Sequence, residues 1–183
     1  MQDIAKEIVI KAQAGDTGSF RSIYEETAGF VYNVALRIVK RSQDAEEVAQ
    51  EVFLNIYRNL KSFHFQSSFK TWAYRIAVNA ALNHLKKMKR EESRRGEFNE
   101  ELNYNPVFSA DKGLLSDKQE QEAQVNSLLD ALNPEQRAVV VLRNLEGLSY
   151  QEIADTLEIN INTVRSRLKR ARERLIALKG GQR

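Results

Sequence analysis

The chain has 183 residues with 28 Lys or Arg and 25 Asp or Glu, a net charge of +3, and no cysteine. A chain of this length can bury a core without disulfides or metal ions. The lack of cysteine excludes disulfide bonds, thiolate catalysis and cysteine-based zinc sites. Eight glycines and two prolines are fewer than half of what an average composition of about 7% Gly and 5% Pro would give, so we predict long helices with few turns.

Apolar segments bear on where the protein resides. No apolar run approaches the roughly 18 residues that span a bilayer, and the first ten residues, MQDIAKEIVI, lack the apolar stretch of a signal peptide. We therefore expect a cytoplasmic protein with no direct membrane insertion. Nothing in the composition indicates a cofactor.

Charge is unevenly distributed along the chain. Residues 165–183 contain eight basic side chains and one acid, and residues 84–95 contain six basic side chains and two acids. Between them, residues 97–122 contain seven acids and two lysines. Two basic clusters are typical of a protein that contacts phosphates at two places, although an ordinary solvated face is also basic in many proteins.

Apolar residues recur at helical spacing as far as about residue 92, which predicts four or five helices. The predicted boundaries are helix-breaking or helix-capping residues: a break at Gly15 and Asp16, a start near Ser19, a cap at Ser42 with an end near Asn59, and a cap at Ser67 or Ser68 with an end near Arg90. Residues 93–122 lack a sustained apolar face and contain most of the loop-favouring residues. We interpret them as a flexible acidic linker.

Helix signals resume after the linker. Asn133 followed by Pro134 is typical of a helix start, and Gly147 ends that helix. Ser149 and Glu152 have the spacing of a capping box, which starts a helix that runs to about Leu157, and a final helix is predicted over about 161–178. The predicted fold is all-α, with two small helical domains at 1–92 and 123–183.

The final helix has a basic face opposite an apolar stripe. At about 100° per residue, the apolar side consists of Ile161, Val164, Leu168, Ala171, Leu175 and Leu178. The opposite side carries Arg165, Ser166, Lys169 and Arg170, and the flanks carry Arg167, Arg172 and Arg174.

The segment from Leu148 to Arg174 has the proportions of a helix-turn-helix, whose second helix enters the major groove. Arginine can bind the edge of guanine through two hydrogen bonds, and the flanking arginines suit phosphates. A basic amphipathic helix packing on an acidic partner is the alternative. The capped helix before the turn favours contact with DNA.

A polar stripe runs along the predicted helix at about 69–90. It consists of Trp72, Arg75, Asn79, Asn83 and Lys86, and the preceding loop contributes Lys61, Phe63, His64, Phe65, Gln66 and Ser67. Aromatic rings beside amide and basic groups can stack on unstacked bases and bind their edges. The alternative is that Phe63, Phe65 and Phe69 pack in the core, with Trp72 covering them.

The predicted helix at about 43–59 has one face directed away from the core. This face consists of Glu47, Gln50, Glu51, Leu54 and Arg58, and the exposed leucine among polar groups indicates a protein partner. The alternative interpretation is a metal-dependent nuclease, in which Asp44, Glu46, Glu47 and Glu51 would ligate Mg²⁺. Glu46 faces another side of the helix, however, and no histidine base accompanies these acids.

Three segments carry a resemblance to a known family. The strings DAEEVAQEVFLNIYRNL, SFHFQSSFKTWAYRIAVNAALNHLKK and LSYQEIADTLEININTVRSRLKRARERL resemble conserved regions of the extracytoplasmic-function (ECF) sigma factors, the two-domain members of the sigma-70 family. The resemblance covers about 150 residues. It implies that 1–92 is a sigma-2-like domain, 93–122 the linker and 123–183 a sigma-4-like domain.

The resemblance implies a promoter-specificity subunit of RNA polymerase, not an enzyme. Glu47, Gln50, Glu51, Leu54 and Arg58 would dock on the clamp helices of the largest polymerase subunit, and the second domain on the flap of the second-largest. The loop residues Lys61, Phe63, His64, Phe65, Gln66 and Ser67, with the polar stripe, would bind the minus-10 element.

The second domain would read the minus-35 element through Arg165, Ser166, Arg167, Lys169, Arg170 and Arg174. An anti-sigma factor is a further implied partner. The loop has His64, Phe65 and Gln66 where the family commonly has Arg-Gly-Asp or Arg-Gly-Glu. A transcriptional regulator that works without polymerase is the competing reading of the helix-turn-helix.

Overall fold

A computed structural model describes residues 4–94 and 117–180. Every regular element in these two ranges is helical, which confirms the predicted all-α class. The chain divides into two compact units, Met1–Glu91 and Glu92–Arg183.

The first unit contains four α-helices and a short 3-10 helix: α1 (Lys6–Gln13), α2 (Thr17–Val39), α3 (Ser42–Asn59), the 3-10 helix (Leu60–Ser62) and α4 (Phe69–Arg94). Gly15 ends α1 with φ of +98°, a conformation that glycine adopts without steric cost. Asp16 then caps α2 by accepting a hydrogen bond of 2.8 Å from the backbone N–H of Ser19. This bond holds the pKa of the Asp16 carboxyl below its ordinary value.

The predicted cap at Ser42 is wrong. Ser42 is the first residue of α3, and Arg41 before it makes no side-chain capping bond. The chain reverses at Lys40, which has a left-handed φ of 72°, so α2 and α3 are separated by only two residues. The alternative cap at Ser68 is confirmed for α4, because its Oγ accepts a hydrogen bond of 3.0 Å from the N–H of Thr71.

The core of the first unit is formed by fully buried aliphatic and aromatic side chains. These include Val9, Ile23, Val34, Ile38, Val48, Val52, Ile56 and Tyr74. They come from α1 to α4, and α2 packs against both α1 and α3. Each such side chain contributes about 1.5–3 kcal/mol of transfer free energy, so the core fixes which faces of α3 and α4 remain outside.

The second unit contains α5 (Asp117–Asp130), α6 (Pro134–Val140), a π-helix (Val141–Leu145), α7 (Tyr150–Leu157) and α8 (Ile161–Gly180). Leu129, Leu132, Val141 and Ala171 form a buried cluster that joins α5, the π-helix and α8. Arg137 is also buried, and its guanidinium donates to the carbonyls of Leu129 at 3.0 Å and Leu132 at 2.8 Å. It thereby satisfies carbonyls at the end of α5 that lack a helical partner.

The predicted helix starts of the second unit are confirmed. Asn133 and Gln136 form a capping box with Pro134 as the first residue of α6, and Ser149 and Glu152 form another at α7. The predicted linker differs at both ends, because α4 continues to Arg94 and α5 begins at Asp117. Its remaining part, 95–116, lies outside the described residues.

The start of α5 was not predicted from the sequence, and the reason is physical. Residues 117–124 contain only one apolar side chain, so no amphipathic pattern marks this part of the helix. None of the described helices is both long and apolar enough to cross a membrane.

Candidate nucleic-acid and protein interfaces

The loop between the 3-10 helix and α4 is built on an aromatic cluster. Phe63 and Phe69 are 5% and 2% exposed. The Phe63 ring centroid lies 4.9 Å from that of Phe65, 5.7 Å from that of Phe69 and 5.0 Å from that of Trp72. For Phe63 and Phe69 the structure therefore supports the core-packing alternative, and Phe63 lies beneath the loop surface. Phe65 is half-buried with a left-handed φ of 55°.

The polar members of the predicted loop are exposed: Lys61, His64, Gln66 and Ser67. These residues precede and follow the half-buried Phe65 in the sequence. The loop surface therefore offers basic, imidazole, amide and hydroxyl groups next to a phenylalanine ring. This combination can form hydrogen bonds to the edge of a base that has left its stack.

The polar stripe on α4 is graded in exposure. Trp72, Arg75 and Asn79 are half-buried, while Asn83 and Lys86 are exposed. Trp72 packs on Phe63 with an angle of 33° between the ring planes. The buried Nε of Arg75 has no hydrogen-bond partner among the described residues. An unpaired buried donor is unfavourable by about 1–3 kcal/mol, so an incoming acceptor gains by meeting it.

Helix α1 contacts the loop, which sequence reasoning did not foresee. Gln13 Nε2 donates hydrogen bonds of 2.8 Å to the carbonyl oxygens of Leu60 and Phe63. Lys6 Nζ lies 4.9 Å from the centroid of the Phe65 ring. Leu60 and Phe63 lie 47 and 50 residues after Gln13 in the sequence. No local sequence pattern marks contacts between residues so far apart.

The outer face of α3 is exposed as predicted. Glu47, Gln50, Glu51 and Arg58 are exposed, and Leu54 is 54% exposed. The same face continues into aromatic residues that the sequence analysis did not include. These aromatic residues are Phe20, Tyr24, Tyr32, Phe53 and Tyr57. With Gln50 and Leu54 they line an open groove of about 590 Å³ between α2 and α3.

Two of these aromatic residues are exposed to an unusual degree. Tyr57 is 64% exposed and Tyr24 is 48% exposed. Tyr57 makes an edge contact with Phe20 at 5.1 Å, and Tyr24 contacts Phe53 at 4.6 Å. Rings held in place at a surface are typical of protein-binding sites, so the groove enlarges the predicted partner face.

The metal-binding alternative receives no support from the described residues. Asp44 is buried, and its Oδ1 lies 3.6 Å from His84 Nε2, so the expectation that no histidine accompanies these acids is wrong for Asp44. Glu46, Glu47 and Glu51 are exposed on the outside of α3. No group of three His, Asp or Glu side chains in the described ranges could hold a metal ion.

Helices α7 and α8 form the predicted helix-turn-helix. Ser149 Oγ accepts a bond of 3.2 Å from the N–H of Glu152, while the Glu152 carboxylate accepts one of 2.8 Å from the N–H of Ser149. Hydrogen bonding with Ser149 lowers the pKa of Glu152. The turn reverses through Glu158 with φ of 53°, and Asn160 Oδ1 caps α8 by accepting from the N–H of Asn162 at 2.8 Å.

The outward face of α8 carries most of the predicted base-contacting residues. Arg165, Ser166, Lys169 and Arg170 are exposed, and so is Arg174. Val164 and Ala171 are buried on the opposite side, as predicted for the apolar stripe, whereas Leu178 near the end of α8 is 40% exposed. The guanidinium of Arg165 donates to Asn162 Oδ1 at 3.0 Å, which orients it at the N-terminal end of the face.

Arg167 differs from the other basic residues of α8. Its Nη2 lies 2.7 Å from Glu135 Oε2 of α6, and its side chain is only 21% exposed. The guanidinium therefore braces α8 against α6. This partner is 32 residues away in sequence, and the helical-face argument that predicted a phosphate contact could not reveal it.

A second open groove, of about 410 Å³, lies within the second unit. Its lining combines aliphatic side chains with basic and polar ones: Leu128, Val140, Arg143, Asn144, Tyr150, Leu168, Arg172, Leu175 and Ile176. Arg143 donates to the carbonyl of Leu148 at 2.8 Å and lies 5.1 Å from the Tyr150 ring centroid. Ile176 is 63% exposed at the edge. The groove therefore combines an apolar lining with the positive charges of Arg143 and Arg172.

Comparisons with known proteins agree with this architecture. The family model for Sigma-70 region 2 matches residues 23–91, and the model for Sigma-70, region 4 matches residues 122–175. The chain is 34% identical to the RNA polymerase sigma-H factor of Pseudomonas aeruginosa, over 94% of this chain and 92% of that protein. It is 35% identical to the ECF RNA polymerase sigma-E factor of Haemophilus influenzae, over 91% and 90%.

A solved structure is similar over nearly the whole chain. It is the sigma factor RpoE in complex with the anti-sigma factor NepR from Bartonella quintana, with 25% identity, a TM-score of 0.68, and coverage of 90% of this chain and 98% of that one. Two helical units that match sigma-70 regions 2 and 4 in this order define an RNA polymerase sigma factor. The chain belongs to the ECF group of the sigma-70 family.

Proposed function

We propose that this protein directs core RNA polymerase to a subset of promoters and assists the melting of their DNA. The observation that carries the proposal is a pair of exposed surfaces, one in each unit. The first unit presents an aromatic loop beside the polar stripe of α4, and the second presents the basic face of α8. One surface has the chemistry for unstacked bases and the other for duplex DNA.

The first unit binds the melted minus-10 strand in this proposal. Unstacking and flipping a base takes a few kcal/mol, and a protein that hydrolyses nothing must offset this by binding the exposed strand. His64, Phe65 and Gln66 meet a flipped base. Arg75 and Asn83 then bind the strand along α4, with Trp72 as a stacking surface.

The second unit binds the minus-35 duplex. Arg165 and Lys169 lie on the exposed N-terminal half of α8, where a recognition helix contacts base edges. The Ser166 hydroxyl donates to the Thr163 carbonyl at 3.0 Å, so its oxygen remains able to accept a bond from a base. Arg174 binds phosphate further along the helix.

Core polymerase occupies the two open grooves. The clamp helices of the largest subunit lie on α3, against Gln50, Leu54 and the aromatic groove, with Glu47, Glu51 and Arg58 at its edge. The flap of the second-largest subunit lies in the groove that Arg143 and Arg172 border in the second unit. Holding both units on one enzyme raises the effective concentration of each for its DNA element.

The neighbour from Bartonella quintana is bound by an anti-sigma factor, and we extend this to an anti-sigma factor for the present chain. It competes with polymerase for the exposed grooves. The protein acts in the cytoplasm as an initiation factor rather than as an enzyme, with no cofactor.

Reconstituted transcription tests the proposal. Core polymerase is incubated with a library of genomic fragments, with and without this protein, and the RNA start sites are mapped. Start sites that share two upstream motifs and depend on the protein are expected. If the same start sites are used without the protein, the proposal is contradicted. If the protein alone binds duplex promoter DNA tightly, the result favours a regulator that works without polymerase.

A pair of matched variants tests the role of the polar stripe in DNA melting. Asn83→Ala removes an exposed amide of the polar stripe, and Lys87→Ala changes an exposed residue of α4 outside it. Permanganate reactivity of promoter thymines reports melting. We expect reduced melting only for Asn83→Ala, and equal melting by the two variants contradicts the assignment of the stripe.

A further inference from the structure

We propose that α1 is a positioning element for the base-binding loop, in which Gln13 fixes the loop backbone and Lys6 holds the ring of Phe65. The inference rests on the proposed function, because it concerns how the loop is prepared for the melted strand. Neither residue is assigned a contact with DNA. Their role is to keep His64, Phe65 and Gln66 in one arrangement before a base arrives.

Gln13 uses both hydrogens of its amide on the loop. Its Nε2 donates to the carbonyls of Leu60 and Phe63 at 2.8 Å each. Leu60 begins the 3-10 helix Leu60–Ser62, and Phe63 is the residue that follows it. The Leu60 carbonyl also accepts a hydrogen bond of 3.1 Å from the N–H of Phe63. One side chain therefore defines the position at which the chain leaves the helix and enters the loop.

Phe65 needs support of its own. Its φ of 55° places a bulky residue in the left-handed region, which is unfavourable for a residue with a Cβ. Such a conformation persists only when the surroundings determine it. The Phe63 ring lies 4.9 Å away on the loop itself, and Lys6 Nζ lies 4.9 Å from the ring centroid.

Lys6 and Gln13 lie on the same side of α1. They are seven residues apart, which returns the helix to within about 20° of the same direction and advances it by about 10 Å. Val9 and Ala12 are buried in the core of the first unit, so α1 is anchored between its two contacts. It therefore supports the loop at its entry and at its tip simultaneously.

Preorganisation is the functional consequence. A loop that samples several conformations must be ordered when it captures a base, and this reduces affinity and discrimination. A loop already held by α1 avoids that loss. Weakening α1 should therefore impair single-strand recognition while leaving duplex recognition by the second unit intact.

Three variants of the full chain, assembled with core polymerase, test the inference. Gln13→Met keeps the length and removes both donors, and Lys6→Met removes the cation, while Lys6→Arg retains it. Lys11→Met is the control, since Lys11 is exposed on the opposite side of α1. Holoenzyme affinity is measured for a labelled single strand with the minus-10 sequence, for a scrambled strand, and for minus-35 duplex.

We expect Gln13→Met to reduce the preference for the minus-10 strand by about tenfold, the change that two lost hydrogen bonds produce. Lys6→Met should reduce it by about threefold, and Lys6→Arg and Lys11→Met should match the parent. The fluorescence of Trp72, the one tryptophan of the sequence, should change in free Gln13→Met because Trp72 contacts Phe63.

The outcomes distinguish two kinds of failure. If the parent holoenzyme does not prefer the minus-10 strand, the proposed function fails. If the parent discriminates and Gln13→Met does so equally well, the role of α1 is overturned. Equal loss of single-strand and duplex binding by Gln13→Met, with a lowered melting temperature, also overturns it, because that result indicates general destabilisation.

Discussion

Asp44 of α3 and His84 of α4 face each other, with 3.6 Å between the carboxylate Oδ1 and the imidazole Nε2. Their side chains are only 13% and 15% exposed, and Arg41 Nε lies 3.8 Å from the other carboxylate oxygen. Helix α3 carries the proposed polymerase face and α4 the proposed strand-binding stripe. This polar contact therefore joins the two functional helices of the first unit.

Asp44→Asn should lower the free energy of unfolding by about 1 kcal/mol. The carboxylate lies in the first turn of α3, where a negative charge interacts favourably with the helix dipole by about 0.3–1 kcal/mol, and it also faces His84. Urea unfolding followed by Trp72 fluorescence measures the change. Glu46→Gln, an exposed acid of the same helix, is the control, and an equal effect of both variants would refute a specific role.

Arg165 and Lys169 should contribute differently to promoter binding. Arg165→Ala should remove about 1–3 kcal/mol of discrimination at one base pair of the minus-35 element. Lys169→Ala should weaken binding to all sequences and reduce the salt dependence by about one unit of slope. Titrations of holoenzyme with single-base promoter variants at several salt concentrations distinguish the two, and indistinguishable profiles contradict base reading by Arg165.

Arg167→Ala should weaken promoter binding less than Arg170→Ala does. Arg167 is paired with Glu135 at 2.7 Å, whereas Arg170 is exposed on the outward face of α8. A guanidinium that braces α8 against α6 has less freedom to meet a phosphate. The same titrations rank the two variants, and the reverse order would show that DNA displaces Glu135.

The capping box of α7 predicts a pH dependence. The folded pKa of Glu152 is lowered by its hydrogen bonding with Ser149, so the carboxylate contributes stability that is fully present above its unfolded pKa near 4.5. This contribution is lost as pH falls through the lower folded pKa. Hydrogen exchange of α7 in the full chain should show the loss, and Glu152→Gln should flatten this part of the profile.

Ser149→Ala should weaken α7 at neutral pH as well, by about 1 kcal/mol, because the cap itself is removed. The measurement is again amide exchange of residues 150–157. Ser67→Ala is the control, since Ser67 is an exposed loop residue outside this unit. Unchanged exchange in Ser149→Ala would mean that the capping bonds do not limit opening of the helix.

Glu158→Gly should stabilise the helix-turn-helix by about 0.5–1 kcal/mol. Glu158 ends α7 with φ of 53°, a conformation that is unfavourable for a residue with a Cβ and ordinary for glycine. Glu146→Gly is the matched control, because φ at Glu146 is −104° and glycine relieves no strain there. Exchange of α8 amides checks the difference, and equal effects at both positions would contradict it.

Local rules predicted much of this protein. The capping sequences at Asn133 and Ser149 correctly placed the starts of α6 and α7, because a cap acts within four residues. The exposed faces of α3 and α8 were also correct, since helical periodicity decides them once one side is apolar. The class of protein followed from the resemblance of three segments to the ECF sigma factors.

Contacts between distant residues could not be predicted in the same way. The bonds from Gln13 to the loop and the Arg167–Glu135 pair join residues far apart in sequence. The burial of Phe63 depends on three neighbouring rings. Arg75 and Trp72 are likewise half-buried, which their position in the predicted polar stripe did not reveal.

The π-helix at Val141–Leu145 makes the second unit sensitive to chain length. The N–H of Glu146 bonds to the carbonyl of Val141 at 3.1 Å and that of Leu148 to Leu142 at 3.0 Å, so this segment accommodates more residues per turn than an α-helix. Deleting one residue here would restore α-helical spacing and rotate the chain that follows by about 100°. An engineered chain with an insertion or deletion at this point would therefore redirect the helices that follow, even with every proposed DNA-contacting side chain unchanged.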